Sequence, residues 1–116
     1  MLHVHNATRD VTLVDKGQVA DSYLKRLKGL IGVRKLALGD GLLIKPCKDV
    51  HTHFMAIPID ILYVDADNRI VDIDPEMKSW RFGRWRRKAQ FVIELPSGTV
   101  ARTGCAVGDE LIVSIS

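Results

Sequence analysis

Cysteine is scarce in this chain. Cys47 and Cys105 are the two present, too few to staple a 116-residue fold. Long apolar runs are absent as well. None approaches the roughly 20 residues that a bilayer crossing requires. The opening MLHVHNATRD has no basic region followed by an apolar stretch, so we expect no secretory signal. No internal repeat, linker or low-complexity tract is present. G-x-G-x-x-G and P-loop patterns are missing, which excludes the common nucleotide folds. No RNP, KH, zinc-finger or helix-turn-helix pattern occurs. These absences lead us to expect a cytoplasmic chain with reduced thiols and no membrane partner. None of these features names a cofactor, which stays unknown.

What is present is ordinary in bulk and uneven in detail. Apolar residues make up 47% of the chain, enough to exclude wholesale disorder. The length fits a single domain, residues 1–116, and leaves no room for two. The formal net charge of +3 hides an asymmetry. Residues 78–88 carry six bases and no acid, while residues 60–76 carry six acids and one base, Arg69. A local basic patch attracts anions, whereas acidic and basic neighbours can also neutralise each other across adjacent strands.

The apolar pattern predicts many short elements. Residues 2–5 and 11–14 read as strands, with a turn near Lys16 and Gly17. One main helix is expected over residues 21–29. Asp21 or Ser22 caps it, Leu24 and Leu27 share a face, and Gly29, or alternatively Gly32, stops it. From Gly41 onward the pattern is extended. Ile59, Ile61 and Tyr63 alternate against Asp60, Leu62 and Val64. Asp67 and Asn68 suit a hairpin turn before a return strand over residues 70–73. Residues 89–95 and 111–115 read as further strands, with a short helix near residues 97–103. Strands come in runs, so the fold class is α+β and β-rich. A curled antiparallel or mixed sheet, or a small barrel, hides its edges best.

Several polar residues could carry chemistry. Cys47, His51 and His53 form C-x3-H-x-H, and thiolate and imidazole both ligate zinc. The same set could serve a cysteine-dependent enzyme. Their alternative is a buried thiol beside two half-exposed imidazoles. Asp60 sits among apolar neighbours in IPIDILYV, so its carboxylate must find partners. It lies either at the floor of a pocket or in a bond that ties down an adjacent loop. Glu94, in FVIELP, poses the same question. Trp80, Arg81, Phe82, Arg84, Trp85, Arg86, Arg87 and Lys88 interleave aromatics with bases, a pattern that can contact phosphates and stack bases. Asp109 follows Val107 and Gly108 and reads as a turn former.

The order of these motifs is distinctive. Gly29 to Gly32 are followed by Gly41 to Ile44, then Pro46 and Cys47. Next come Val50, His51, Thr52, Phe54 and Met55. After them stand Pro58 to Asp65, Val92 to Gly98, and Gly104 with Val107, Gly108 and Asp109. The sequence from about residue 24 to 111 resembles the bacterial and archaeal family called domain of unknown function 192. Trp80 and Arg81 resemble a pair found in one subgroup, with Ser79 where proline is common. The resemblance implies a compact β-rich domain and brings no activity, substrate or cofactor with it. Cys47, His51, Thr52, Asp60, Arg81 and Glu94 match its polar motif positions.

These observations lead us to expect a small-ligand binding module for an anionic or sugar-like compound. Its pocket would be lined by His51, Thr52, Phe54, Met55, Asp60, Trp80, Arg81 and Glu94. Nucleic-acid contact through Arg81, Arg84, Trp85, Arg86, Arg87 and Lys88 is the alternative. No complete catalytic constellation is visible.

Overall fold

A computed structural model describes residues 1–20, 37–45, 58–77 and 88–116. Their strands, in chain order, are β1 (Leu2–Asn6), β2 (Val11–Ala20), β3 (Leu42–Ile44), β4 (Ile59–Val64), β5 (Ile70–Met77), β6 (Phe91–Pro96) and β7 (Leu111–Ile115). A short helix, α1 (Thr99–Thr103), joins β6 to β7. The expected main helix over residues 21–29 lies outside the described residues.

The strands form one mixed sheet in the order β5-β4-β6-β3-β2-β1-β7. Only β2 and β3 pair in parallel among the described neighbours. The sheet curls. The start of β5 reaches the entry to β7, where Ile70 N–H donates to Asp109 O at 3.0 Å and Leu111 N–H donates to Asn68 O at 2.8 Å. An isolated bridge between Arg69 and Glu110 marks the same approach. Curling shields part of each terminal strand and gives the sheet an inside.

That inside holds the main core. Leu2 and Val4, Leu13 and Val14, Leu43, Leu62 and Val64, Ile70, Ile93 and Leu95, and Leu111 come from all seven strands. A second cluster lies on the other face of β3, β4 and β6. It contains Leu42, Ile44, Ile59, Ile61, Tyr63, Ala89 and Val92. The alternation in IDILYV therefore splits as the period of two requires, and every residue of β4 is buried. Two buried faces explain why β4 and β6 read as nearly continuous apolar runs.

The hairpin between β4 and β5 turns at Asp67 and Asn68. Asn68 is left-handed at φ 61°, and Asp65 Oδ1 accepts from the backbone N–H of Asp67 and of Arg69, both at 2.9 Å. Both features follow from turn chemistry that Asn and Asp supply locally. The short helix also forms as expected, ending at left-handed Gly104, whose N–H returns to Val100 O at 2.9 Å.

Two expectations need correction. β5 extends to Met77 instead of ending at residue 73. Pro75 lacks a ladder donor, but β5 is an end strand of the sheet, where proline is tolerated. Lys16 and Gly17 make no turn, because β2 continues through them. Gly17 faces Leu2 of β1, and the next residue, Gln18, already pairs with Leu42 of β3. The glycine is needed for closeness. A Cβ there would lie 2.5 Å from Val14 Cγ1 and 2.9 Å from Gly41 O. Gly17→Ala is therefore expected to destabilise the fold by about 1–3 kcal/mol through overpacking. Urea denaturation measures this, and a variant as stable as the parent would refute the close approach.

Candidate functional site

Two carboxyl groups occupy the middle of the sheet, and the register separates them. In the β4–β6 pairing, Asp60 faces Leu95 and Ile61 faces Glu94. Asp60 thus shares the inner face with Leu62 and Val64, and Glu94 shares the second face with Ile61 and Val92. The two carboxyls do not meet.

Asp60 is completely buried and its two oxygens have separate tasks. Oδ1 accepts from Glu76 N–H at 2.8 Å, and Oδ2 accepts from Val100 N–H at 2.7 Å. The first contact arises from a bulge. Ile59 pairs with Met77 and Ile61 with Asp74, so Asp60 stands opposite both Pro75 and Glu76. Glu76 takes φ 52°, which frees its N–H from the ladder. The second contact caps α1. The residue at the cap position is Gly98, which has no side chain to offer, and Asp60 supplies the missing acceptor from forty positions away. Asp60 therefore ties β5 and α1 to β4.

Among the described residues Glu94 has no comparable partners. It is 3% exposed, and its Oε2 has no hydrogen-bond partner among the described residues. Its strand neighbours are Ile61 and Leu42. Burial pushes its carboxyl up to about 8, so it holds its proton at neutral pH. A protonated carboxyl both donates and accepts. The same face carries Tyr63, whose hydroxyl donates to Asp74 Oδ2 at 2.8 Å. Asp74, Ile61, Glu94 and Leu42 form one cross-strand row over β5, β4, β6 and β3.

A third polar cluster was not legible in the sequence. Asp109 Oδ2 accepts from Asn6 Nδ2 at 2.9 Å, Arg9 Nε at 3.0 Å and Ala106 N–H at 3.0 Å. The Ala106 bond closes a turn, in keeping with the turn-former expectation. Burial pushes the Asp109 carboxyl up, but the hydrogen bonds from Arg9, Asn6 and Ala106 outweigh it and hold the group below its ordinary value. Cys105 is buried beside this cluster, its sulfur accepting from Asn6 Nδ2 at 3.4 Å and Thr103 Oγ1 at 3.1 Å. Asp109 thus fastens the β1–β2 hairpin to the entry of β7. Its stabilisation is present above the unfolded carboxyl value and is lost as pH falls through the lower folded value. Asp109→Ala is expected to cost about 2–4 kcal/mol at pH 7 by leaving buried donors unmet. The difference from the parent should shrink in acid. Thermal unfolding at pH 7 and pH 3 measures both, and an unchanged midpoint at pH 7 would contradict the assignment.

His5 links Thr12 Oγ1 at 3.2 Å to Asp10 Oδ1 at 3.0 Å, but the Asp10 side chain is 95% exposed and water competes for it. A shallow groove of about 190 Å³ lies nearby, lined by Thr12, Leu13, Asp15, Leu38, Gly39 and Arg102. None of the sequence-expected site residues lines it. Among the described residues, no three His, Cys, Asp or Glu side chains converge on a metal position. No helix among them is long and apolar enough to cross a membrane.

Of the expected site residues, Asp60, Glu94 and Lys88 are described, with Lys88 exposed. Cys47, His51, Thr52, His53, Phe54, Met55, Trp80, Arg81, Arg84, Trp85, Arg86 and Arg87 lie outside the described residues.

Comparison with known proteins agrees with the architecture. The family model DUF192, described as uncharacterized ACR, matches residues 4–113. A UPF0127 protein of Thermococcus kodakarensis is 31% identical over 111 residues, covering 90% of this chain and 68% of the relative. A protein of unknown function from Novosphingobium aromaticivorans superposes with TM-score 0.83 at 21% identity, covering 96% of this chain and 82% of the other. A candidate transcription regulator from Sinorhizobium meliloti gives 0.82 at 23% identity, covering 97% and 91%. At these identities the two structures share the fold.

Proposed function

The chain belongs to the domain of unknown function 192 family, and on that footing we propose that it is a small-ligand binding module for an anionic or sugar-like compound. One observation carries the reading. Glu94 places a buried carboxyl oxygen without a described partner on an apolar sheet face. Buried polar atoms are nearly always paired, and an unpaired one in a central strand calls for a partner from outside the sheet. Apolar walls with a few polar groups are what small-molecule sites usually offer. His51, Thr52, Phe54, Met55, Trp80 and Arg81 join the proposal on the sequence argument alone. Asp60 contributes by holding β4, β5 and α1 together.

A thermal-shift screen tests this with hexoses, hexuronates, sugar phosphates and short dicarboxylates. At least one class should raise the melting temperature. Glu94→Leu, His51→Ala and Arg81→Ala should each weaken that hit about tenfold or more. If no class shifts the protein, or if the three variants respond as the parent does, the reading is wrong.

Nucleic-acid contact through Arg81, Arg84, Trp85, Arg86, Arg87 and Lys88 is the second reading. It is favoured by the exposed Lys88 and by the description of the Sinorhizobium meliloti neighbour. It requires retention on an RNA column that falls steeply between about 50 and 200 mM salt, by counterion release. Absent or salt-independent retention removes it.

A further inference from the structure

The curled sheet closes along only part of β7. This strand ends the order, and β1 is its one ladder partner among the described residues. The contact with the β4–β5 hairpin stops at its first residue. Leu111 N–H donates to Asn68 O, and the neighbouring Arg69–Glu110 bridge is antiparallel. β7 therefore runs on past the hairpin tip at Asp67 and Asn68. We propose that this open edge, residues 112–116, pairs with the same edge of a second copy of this chain, about a two-fold axis at Ser114. The ligand reading above does not enter the argument.

Alternation along the backbone shows which groups the edge offers. Ile112 and Ser114 face His5 and His3 of β1, and Ser116 N–H donates to Met1 O. These residues turn their N–H and C=O groups toward β1. Leu111, Val113 and Ile115 turn theirs the other way, in line with the Leu111–Asn68 bond. Val113 and Ile115 have no such partner among the described residues. Sheet edges are commonly protected by charged side chains, proline or a bulge. LIVSI has neither charge nor proline, and its register with β1 is unbroken. The nearest charge before it, Glu110, is paired with Arg69 Nη2 at 3.2 Å.

Self-complementarity selects a second copy as the occupant. With the axis at Ser114, Val113 lies opposite the partner's Ile115, and Ile115 opposite the partner's Val113. Each such pair exchanges both of its N–H···O bonds, so the outward groups of one edge satisfy those of the other. Ser114 meets the partner's Ser114 in the close position of the ladder, about 4.5 Å between Cα atoms. The side chains agree. Val113 and Ile115 share the face of Leu111. Val113 packs against the main core, whereas Ile115 is 63% exposed. Pairing sets each Ile115 beside the partner's Val113. Ile112, 52% exposed on the other face, comes beside uncharged serines. With no charge in the segment, two identical edges meet without repulsion. Residues 112–116 fall well short of the roughly 20–30 residues a side of a standard interface. The dimer is therefore weak, with a Kd on the order of 100 µM.

Sedimentation equilibrium from about 5 µM to about 500 µM tests the proposal. The chain should pass from monomer toward dimer across that range. Ser114→Lys and Ser114→Glu each put like charges face to face across the axis, and each alone should weaken the dimer about fivefold or more. An equimolar mixture of the two variants should restore association, because opposite charges then meet. Ser114 is exposed, so both variants should keep the parent's thermal midpoint. Amide hydrogen exchange gives a readout without substitution. At high concentration the Val113 and Ile115 amides should slow, while those of Ile112 and Ser114, already turned to β1, should change little. A chain that stays monomeric throughout overturns the proposal and leaves the edge to a strand of another protein. Association that both charged variants leave unchanged, or that their mixture fails to restore, overturns it as well, since the contact then lies elsewhere. Val113 and Ile115 amides that do not slow in the dimer do the same.

Discussion

Between pH 4.5 and pH 8 the folded chain is expected to lose on the order of 5 kcal/mol of stability, and Glu94→Gln is expected to remove that loss. The sign follows from the direction of the shift. Burial raises the Glu94 carboxyl from 4.5 to about 8. Below 4.5 both folded and unfolded chains hold the proton, and its full benefit is present. Inside the window the unfolded chain has released the proton and the folded chain has not, so stability falls by about 1.4 kcal/mol per pH unit. Above 8 the folded form also ionises and the slope vanishes. Asp109 acts in the opposite direction but in acid, near and below its ordinary value, so the two effects separate along the pH axis. Urea denaturation of parent and Glu94→Gln at half-unit steps measures the difference. The two should nearly coincide at pH 4.5, and the variant should be clearly the more stable at pH 8. Parallel curves across the window would show that Glu94 titrates normally.

Asp60 provides the second large effect. Both of its oxygens accept backbone N–H groups, and the residue is fully buried. Asp60→Ala removes both acceptors and leaves two donors without partners. Asp60→Asn is nearly isosteric yet no milder, because one of the two N–H groups must then face an amide NH2. Each substitution is expected to cost about 3 kcal/mol, the range for hydrogen bonds to a charged group inside a protein. Amide hydrogen exchange should quicken at Glu76 and Val100. An Asp60→Asn variant within about 1 kcal/mol of the parent would contradict the assignment. These results also separate two roles that look alike in the sequence. Asp60 should control stability through its two backbone hydrogen bonds, and Glu94 should control its pH dependence.

The sequence made some of this visible, for local reasons. Alternation in IDILYV assigned Ile59, Ile61 and Tyr63 to one face and Leu62 and Val64 to the other, because the strand period is two. Asp67 and Asn68 revealed their turn, and Gly104 its helix stop, because each conformation is set within a few residues. Family membership was legible from motif order. The need of Asp60 for partners was legible too, since a lone buried carboxylate is costly. Its actual partners were not. They depend on a bulge at Pro75 and Glu76, opposite Asp60, and on a helix reached only through β6.

Register accounts for the other gaps. Whether Asp60 and Glu94 share a face depends on how β4 slides along β6, and a shift by one residue would reverse the answer. Gly17 invited a turn because glycine is common in turns, whereas here its missing side chain lets β2 pass close to Val14 and Gly41. Asn6, Arg9 and Asp109 are about a hundred positions apart in part and join only because β1 pairs with β7. No spacing rule reaches that far.

The most direct test concerns the proton on Glu94. Carbon-13 NMR can follow the side-chain carboxyl of each glutamate from pH 3 to pH 10, with Glu94→Gln identifying the resonance. A midpoint near 8 is the expected result. A midpoint near 4.5 would mean an ordinary, solvated carboxylate and would end the case for a neutral donor on the second face of the sheet.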